Sequence, residues 1–187
     1  MKSAQGSVVL CLVALTFGYA PQSDRTVPDG QAVADFDARI RAYEALRNRM
    51  AEGAAALDET DDPTEIIAAR QALAARIGAA RATAVRGDIL TAEIAARFRQ
   101  LLNPEMRGVR GLNNRGIIRD EGPGPGAVSL KVNGEYPEDQ PLGSVPTSIL
   151  ERLPPLPEGI EYRFVDKHLI LRDARANLII DYMPNAM

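Results

Sequence analysis

Near the C-terminus, apolar and polar positions sort into three short runs, Glu161-Val165, His168-Arg172 and Asn177-Tyr182. Each is rich in Val, Ile, Leu, Tyr or Phe and has the length of one strand. If Asp166-Lys167 is a two-residue hairpin loop, Val165 lies opposite His168, Phe164 opposite Leu169 and Tyr162 opposite Leu171. If Asp173-Ala174-Arg175-Ala176 is a four-residue loop, Leu171 lies opposite Leu178, Ile170 opposite Ile179, Leu169 opposite Ile180 and His168 opposite Asp181. Directly opposed residues share a face. One face therefore collects Tyr162, Phe164, Leu169, Leu171, Leu178 and Ile180, while the other mixes Arg163, Val165, His168, Ile170, Ile179 and Asp181. A meander of this size is marginal alone and needs a layer across its apolar face.

Upstream the period lengthens to that of a helix. Val33, Phe36, Ile40, Tyr43, Leu46, Met50, Ala54 and Leu57 recur at spacings of three or four, with arginines and glutamates off the stripe. Ile66, Ala69, Leu73, Ile77, Ala80 and Ala84 mark a second helix. The acidic run from Asp58 to Asp62 lacks the spaced oxygen ligands and glycine of a calcium loop. It reads instead as a helix start, with Asp62 as the cap and Pro63 in the first position. The short loop predicts an antiparallel helical hairpin. Gly87 is expected to stop the second helix, and Asp88 or Thr91 to start a third in which Ile94, Phe98, Leu101 and Leu102 face inward.

From Glu105 to Gly126 the texture changes, with Arg107, Arg110, Arg115 and Arg119 scattered among six glycines. The expectation is an irregular, solvated connector whose four arginines are candidate interaction residues. Val128, Leu130 and Val132 then alternate as a strand, Asn133-Gly134 signals a hairpin turn, and Glu135-Tyr136 returns. A short helix is expected from Thr147 to Leu153. The whole predicts an α+β fold: an N-terminal helical hairpin plus third helix, followed by a small antiparallel β region with a C-terminal three-stranded meander. In chain order this gives a linker at 21–31, helices over 32–103, the Gly/Arg-rich connector over 104–127 and the β region over 128–187.

Residues 1–20 read as a leader. Lys2 precedes an apolar run from Val8 to Phe17, and small residues follow at Gly18 and Ala20. The run is too short for a comfortable span, which takes about 20 apolar residues. Cleavage after Ala20 would remove Cys11, the single cysteine, and leave no disulfide.

Composition narrows the chemistry. The 187 residues are 45% hydrophobic but only 5% aromatic, with no Trp, and the net charge of −3 is interleaved along the chain. That distribution argues against a nucleic-acid surface. His168 is the only histidine, so one chain cannot build a multi-histidine metal site. The expected pairing of His168 with Asp181 could orient an imidazole for base catalysis, but no serine is placed beside it by any recognisable motif. It is read as a cross-strand polar pair. No catalytic residue, cofactor or metal is assigned.

The stretches Gly87-Asp88-Ile89-Leu90-Thr91-Ala92-Glu93, Leu153-Pro154-Pro155-Leu156-Pro157, Glu161-Tyr162-Arg163-Phe164 and Ala176-Asn177-Leu178-Ile179-Ile180-Asp181 resemble predicted secreted bacterial proteins of unknown function. The resemblance runs from about Arg86 to the C-terminus. It implies an exported bacterial protein, periplasmic or extracellular, and carries over no functional residue. The expectation is a non-catalytic binding or interaction module of the cell envelope, with an envelope protein as partner, no nucleic acid, and no stable membrane span once the leader is gone. A chaperone-like helical protein is the alternative, and a small hydrolase using His168 and Asp181 is a further one.

Overall fold

The computed structural model describes residues 29–52 and 61–187. The expected leader, most of the expected linker, the end of the first apolar stripe and the first part of the acidic run lie outside the described residues. Among those described, five helices and a four-stranded antiparallel sheet form an α+β fold. The helices are α1 (Asp29–Ala51), α2 (Pro63–Ala80), α3 (Ala92–Leu102), α4 (Gly108–Glu121) and α5 (Thr147–Leu150). The strands are β1 (Gly134–Glu135), β2 (Ile160–Val165), β3 (His168–Asp173) and β4 (Leu178–Met183). Their order across the sheet is β1-β4-β3-β2.

The hairpin of β2 and β3 has the register its sequence predicts, with Val165 opposite His168, Phe164 opposite Leu169 and Tyr162 opposite Leu171. Asp166 takes the left-handed conformation of the turn at φ 52°, which an Asp tolerates better than most residues. The pairing of β3 with β4 differs from expectation. β3 runs on through Asp173, which pairs with Leu178, and Arg172 pairs with Ile179, so the loop is Ala174–Asn177. Asn177, at φ 54°, supplies the turn's left-handed residue. A shift of two residues preserves facing, because side chains alternate with period two. Beyond this point Leu171 lies opposite Asp181, so Ile180 is the extra residue of a bulge. Bulges re-aim the side chains that follow them. Here Ile180 enters the core and Asp181 turns toward the helices, away from His168.

Tyr162, Phe164, Leu169, Leu171, Leu178 and Ile180 all enter the core shared with the helices. α1 contributes Ala32, Phe36, Ile40 and Tyr43, α2 contributes Leu73 and Ile77, and α3 contributes Ile94, Phe98 and Leu102. At its centre Phe36 and Phe98 meet edge to face at 4.9 Å, with Tyr162 within 6.4 Å of both. The opposite sheet face is also covered: Val165, Ile170 and Ile179 pack against Val128 and Tyr136. The alternation at Val128 thus reads burial correctly and pairing wrongly. Residues 128–133 form no strand, the expected Asn133-Gly134 hairpin is absent, and only Gly134–Glu135 joins the sheet, alongside β4.

Helix ends follow local chemistry. Asp62 caps α2, accepting from the Thr64 amide at 2.8 Å, and Thr91 caps α3 through the Ile94 amide at 3.3 Å. α2 ends at Ala80, well before Gly87. The next residue, Arg81, is drawn to the sheet: it donates to Asn133 Oδ1 at 3.0 Å and to the Ile180 carbonyl at 3.1 Å, and its guanidinium lies 5.1 Å from the centre of the Tyr43 ring. Gly87 has another use. At φ 92° it reverses the chain before α3 and turns amides inward toward Asp181.

Burial raises the phenol pKa values of Tyr43 and Tyr162 far above the usual tyrosine range, with the carboxylates of Asp173 and Asp37 respectively adding to it. In the unfolded chain these phenols ionise near pH about 10, while in the fold they keep their protons. Unfolding therefore releases protons above that pH and becomes more favourable as pH rises. The melting temperature is expected to be untouched by these groups below about pH 10 and to fall above it. A pH series on Tyr162→Phe should show a shallower alkaline decline; an equally steep one would contradict the burial of this hydroxyl.

Candidate interaction surface

The four arginines singled out in the sequence do not lie on an irregular connector. Arg110, Arg115 and Arg119 are carried by α4, and Arg107 is its extended N-cap residue. Three glycines make this a poor helix on propensity alone, so tertiary contacts must hold it. Gly111 presses against the short 3-10 turn Asn103–Met106, where any Cβ would collide with the Met106 backbone. The buried Asn114 donates to the Glu105 carbonyl at 2.9 Å and to Ser148 Oγ at 3.3 Å. Arg115 donates to the Met106 carbonyl, and Ile118 is buried. The inner face of α4 is therefore pinned to the 3-10 turn and to α5.

Its outer face is solvated and apolar at two places. Val109 is 85% and Leu112 67% exposed, the highest values for large hydrophobic side chains among the described residues. They sit three residues apart, hence on neighbouring positions of one helix face. From Met106 through Arg119 the chain carries four arginines and no acidic residue, in a protein of net charge −3. Arg107 is exposed. Arg110 and Arg152, both more than half exposed, share the buried Glu105 carboxylate at 3.4 and 3.2 Å. Burial opposes ionisation of Glu105, but the Ser148 hydroxyl and the two arginines outweigh it and hold its pKa below the usual carboxylate range. Arg119 pairs with Asp120 at 2.8 Å on the surface. Glu105 thus holds two half-exposed guanidinium groups together just before α4. Such forks match phosphate and carboxylate oxygens.

The other proposed pair is not formed. His168, half-buried, accepts the Asn185 amide on Nδ1 at 3.3 Å. Asp181 is fully buried, and its carboxylate accepts from the amides of Gly87, Ile89 and Leu90 and from its own neighbour Tyr182, at 2.8 to 3.2 Å. The bonds from Gly87, Ile89 and Leu90 anchor β4 to the loop before α3. From the amphipathic stripes of α1 and α2, Phe36, Ile40, Tyr43, Leu73 and Ile77 are likewise spent inward, on the core shared with the sheet.

Other charged clusters brace the fold. Asp173 is fully buried and accepts the Tyr43 hydroxyl at 2.8 Å and the amides of Arg175 and Ala176 at 2.9 and 3.1 Å, with the buried Arg47 3.8 Å away. Glu161 bridges Arg163 and Arg172, each at 2.6 Å. Burial works against its ionisation, and the two arginines prevail, so its pKa lies below the usual range. Beside this cluster a cavity of about 430 Å³ runs along the edge strand β2, lined by Val145, Leu150, Pro154, Leu156 and Arg163. Among the described residues no group of three or more His, Cys, Asp or Glu could hold a metal ion. No helix there is long and apolar enough to cross a membrane.

Exposed Val109, Leu112 and Arg152, with the buried Glu105 beneath, are not marked out by the sequence. The spacing of Val109 and Leu112 is a helix-face signal, but the surrounding glycines mask it. Comparison with known proteins adds no assignment, since no family model, curated protein or solved structure matches the chain.

Proposed function

We propose that this chain is an exported, non-catalytic binding module of the bacterial cell envelope, and that it makes contact through the outer face of α4. Export is supported by Lys2, the apolar run from Val8 to Phe17 and the small residues Gly18 and Ala20. The contact surface rests on one observation: the two most exposed large hydrophobic side chains of the described residues stand on a helix flanked by arginines. Contiguous exposed apolar surface marks interaction sites, and arginine is enriched among the residues that dominate interfaces. The inner face of α4 is fixed by Gly111, Asn114 and Ile118, so the outer one is presented on a rigid support.

Crosslinking in living cells, followed by pull-down and mass spectrometry, tests this reading and reports the mature N-terminus in the same experiment. The expected result is a processed chain recovered with an envelope component. A chain that keeps residues 1–20 and stays in the cytoplasm would overturn the export reading, and recovery without any envelope component would overturn the binding reading.

A further inference from the structure

We infer that the surface around α4 docks on an anionic lipid bilayer, with Val109 and Leu112 entering the acyl boundary and the neighbouring arginines meeting the headgroup phosphates. The inference rests on the reading of α4 as the contact face and names its partner. Three features favour an anionic bilayer over a soluble polyanion. First, Val109 and Leu112 project from a helix whose opposite side is locked to Glu105, Met106 and Ser148, so they cannot fold inward to leave water. A soluble polyanion would engage the arginines and leave both side chains solvated, whereas a bilayer interface takes up apolar groups and anionic contacts together. Second, the charge is complementary. Arg107, Arg110, Arg115, Arg119 and Arg152 are set against Glu105, Asp120, Glu121 and Glu151, leaving an excess of one positive charge locally in a chain that is negative overall. Third, the cations are arginines, whose guanidinium forks pair with phosphate oxygens. The two on Glu105 are held with their side chains more than half exposed. The contact is peripheral and reversible, since two apolar side chains and a few arginines provide weak, salt-sensitive attachment.

The test is co-sedimentation of the processed protein recovered from cells with vesicles of phosphatidylglycerol and phosphatidylcholine, compared with phosphatidylcholine alone. Binding is expected only with the anionic vesicles and should weaken as salt is raised. Leu112→Asp is expected to lower it by about tenfold or more, through loss of apolar insertion and addition of a repelled charge, and Arg107→Glu by a smaller factor. Both positions are exposed, so unchanged thermal unfolding verifies that the variants fold. Vesicle binding that Leu112→Asp and Val109→Asp leave intact would overturn the inference, as would equal binding to neutral vesicles. If no vesicle binds while in-cell crosslinking captures one envelope protein, lipid docking is wrong and the binding module stands. If neither binds, both readings fall.

Discussion

Asp181→Ala is expected to destabilise the protein by about 4 kcal/mol, because buried amides left without acceptors cost roughly 1–3 kcal/mol each. The Gly87, Ile89 and Leu90 amides converge on this one carboxylate, with separations of 2.8 Å to Ile89 and Leu90. Asp181 is fully buried, which leaves water little room to replace it. The convergence follows from backbone geometry: with Gly87 at positive φ, the Gly87, Ile89 and Leu90 amides point toward one place while the Asp88 amide turns back to the Val85 carbonyl, and concavities of this kind bind anions. Asp181→Asn keeps the volume but brings its NH₂ group against donors, so it should recover less than half of the loss. Denaturant unfolding of the two variants measures both effects. A loss of less than about 1 kcal/mol for Asp181→Ala would show that the loop does not depend on the carboxylate.

Phe98→Ala should cost about 4 kcal/mol, in the range for removing a buried phenylalanine and leaving a cavity. Phe98 is fully buried and touches the rings of Phe36 and Tyr162, one from α1 and one from β2. It is therefore the point where the helical layer and the sheet are joined. Phe98→Leu should cost less than half as much, since a leucine refills most of the volume. If the two variants unfold at the same denaturant concentration, the site relaxes more than this packing implies.

The two predictions differ in how far their basis can be read from the chain. Phe98 stands on a clear helical stripe with Ile94 and Leu102, and the core face of the sheet follows from period-two alternation. Even the wrong pairing of β3 with β4 left that face intact, because an offset of two positions keeps the same side chains on the same side. Asp181 was not legible. Its role depends on a bulge at Ile180, which alternation does not forecast, and on amides more than 90 positions upstream. Helix α4 was hidden for a different reason. Glycine lowers helix propensity, and the contacts that offset it, such as Asn114 with Glu105 and Ser148, belong to the tertiary fold. The four arginines stand out as a group in the sequence, but without the helix they have no apolar neighbours and no geometry. Val128 shows the opposite case, since its alternation signals a buried side chain without telling whether the backbone joins a sheet.

The outer face of α4 is the proposed place where the protein meets its surroundings. The most direct measurement places a photoreactive amino acid at exposed Asn113, between the apolar pair and Arg119, and in parallel at exposed Ala75 on α2, then irradiates living cells. Adducts with envelope components formed from position 113 and not from position 75 are the predicted result. Adducts from position 75 alone, or none from position 113, would contradict it.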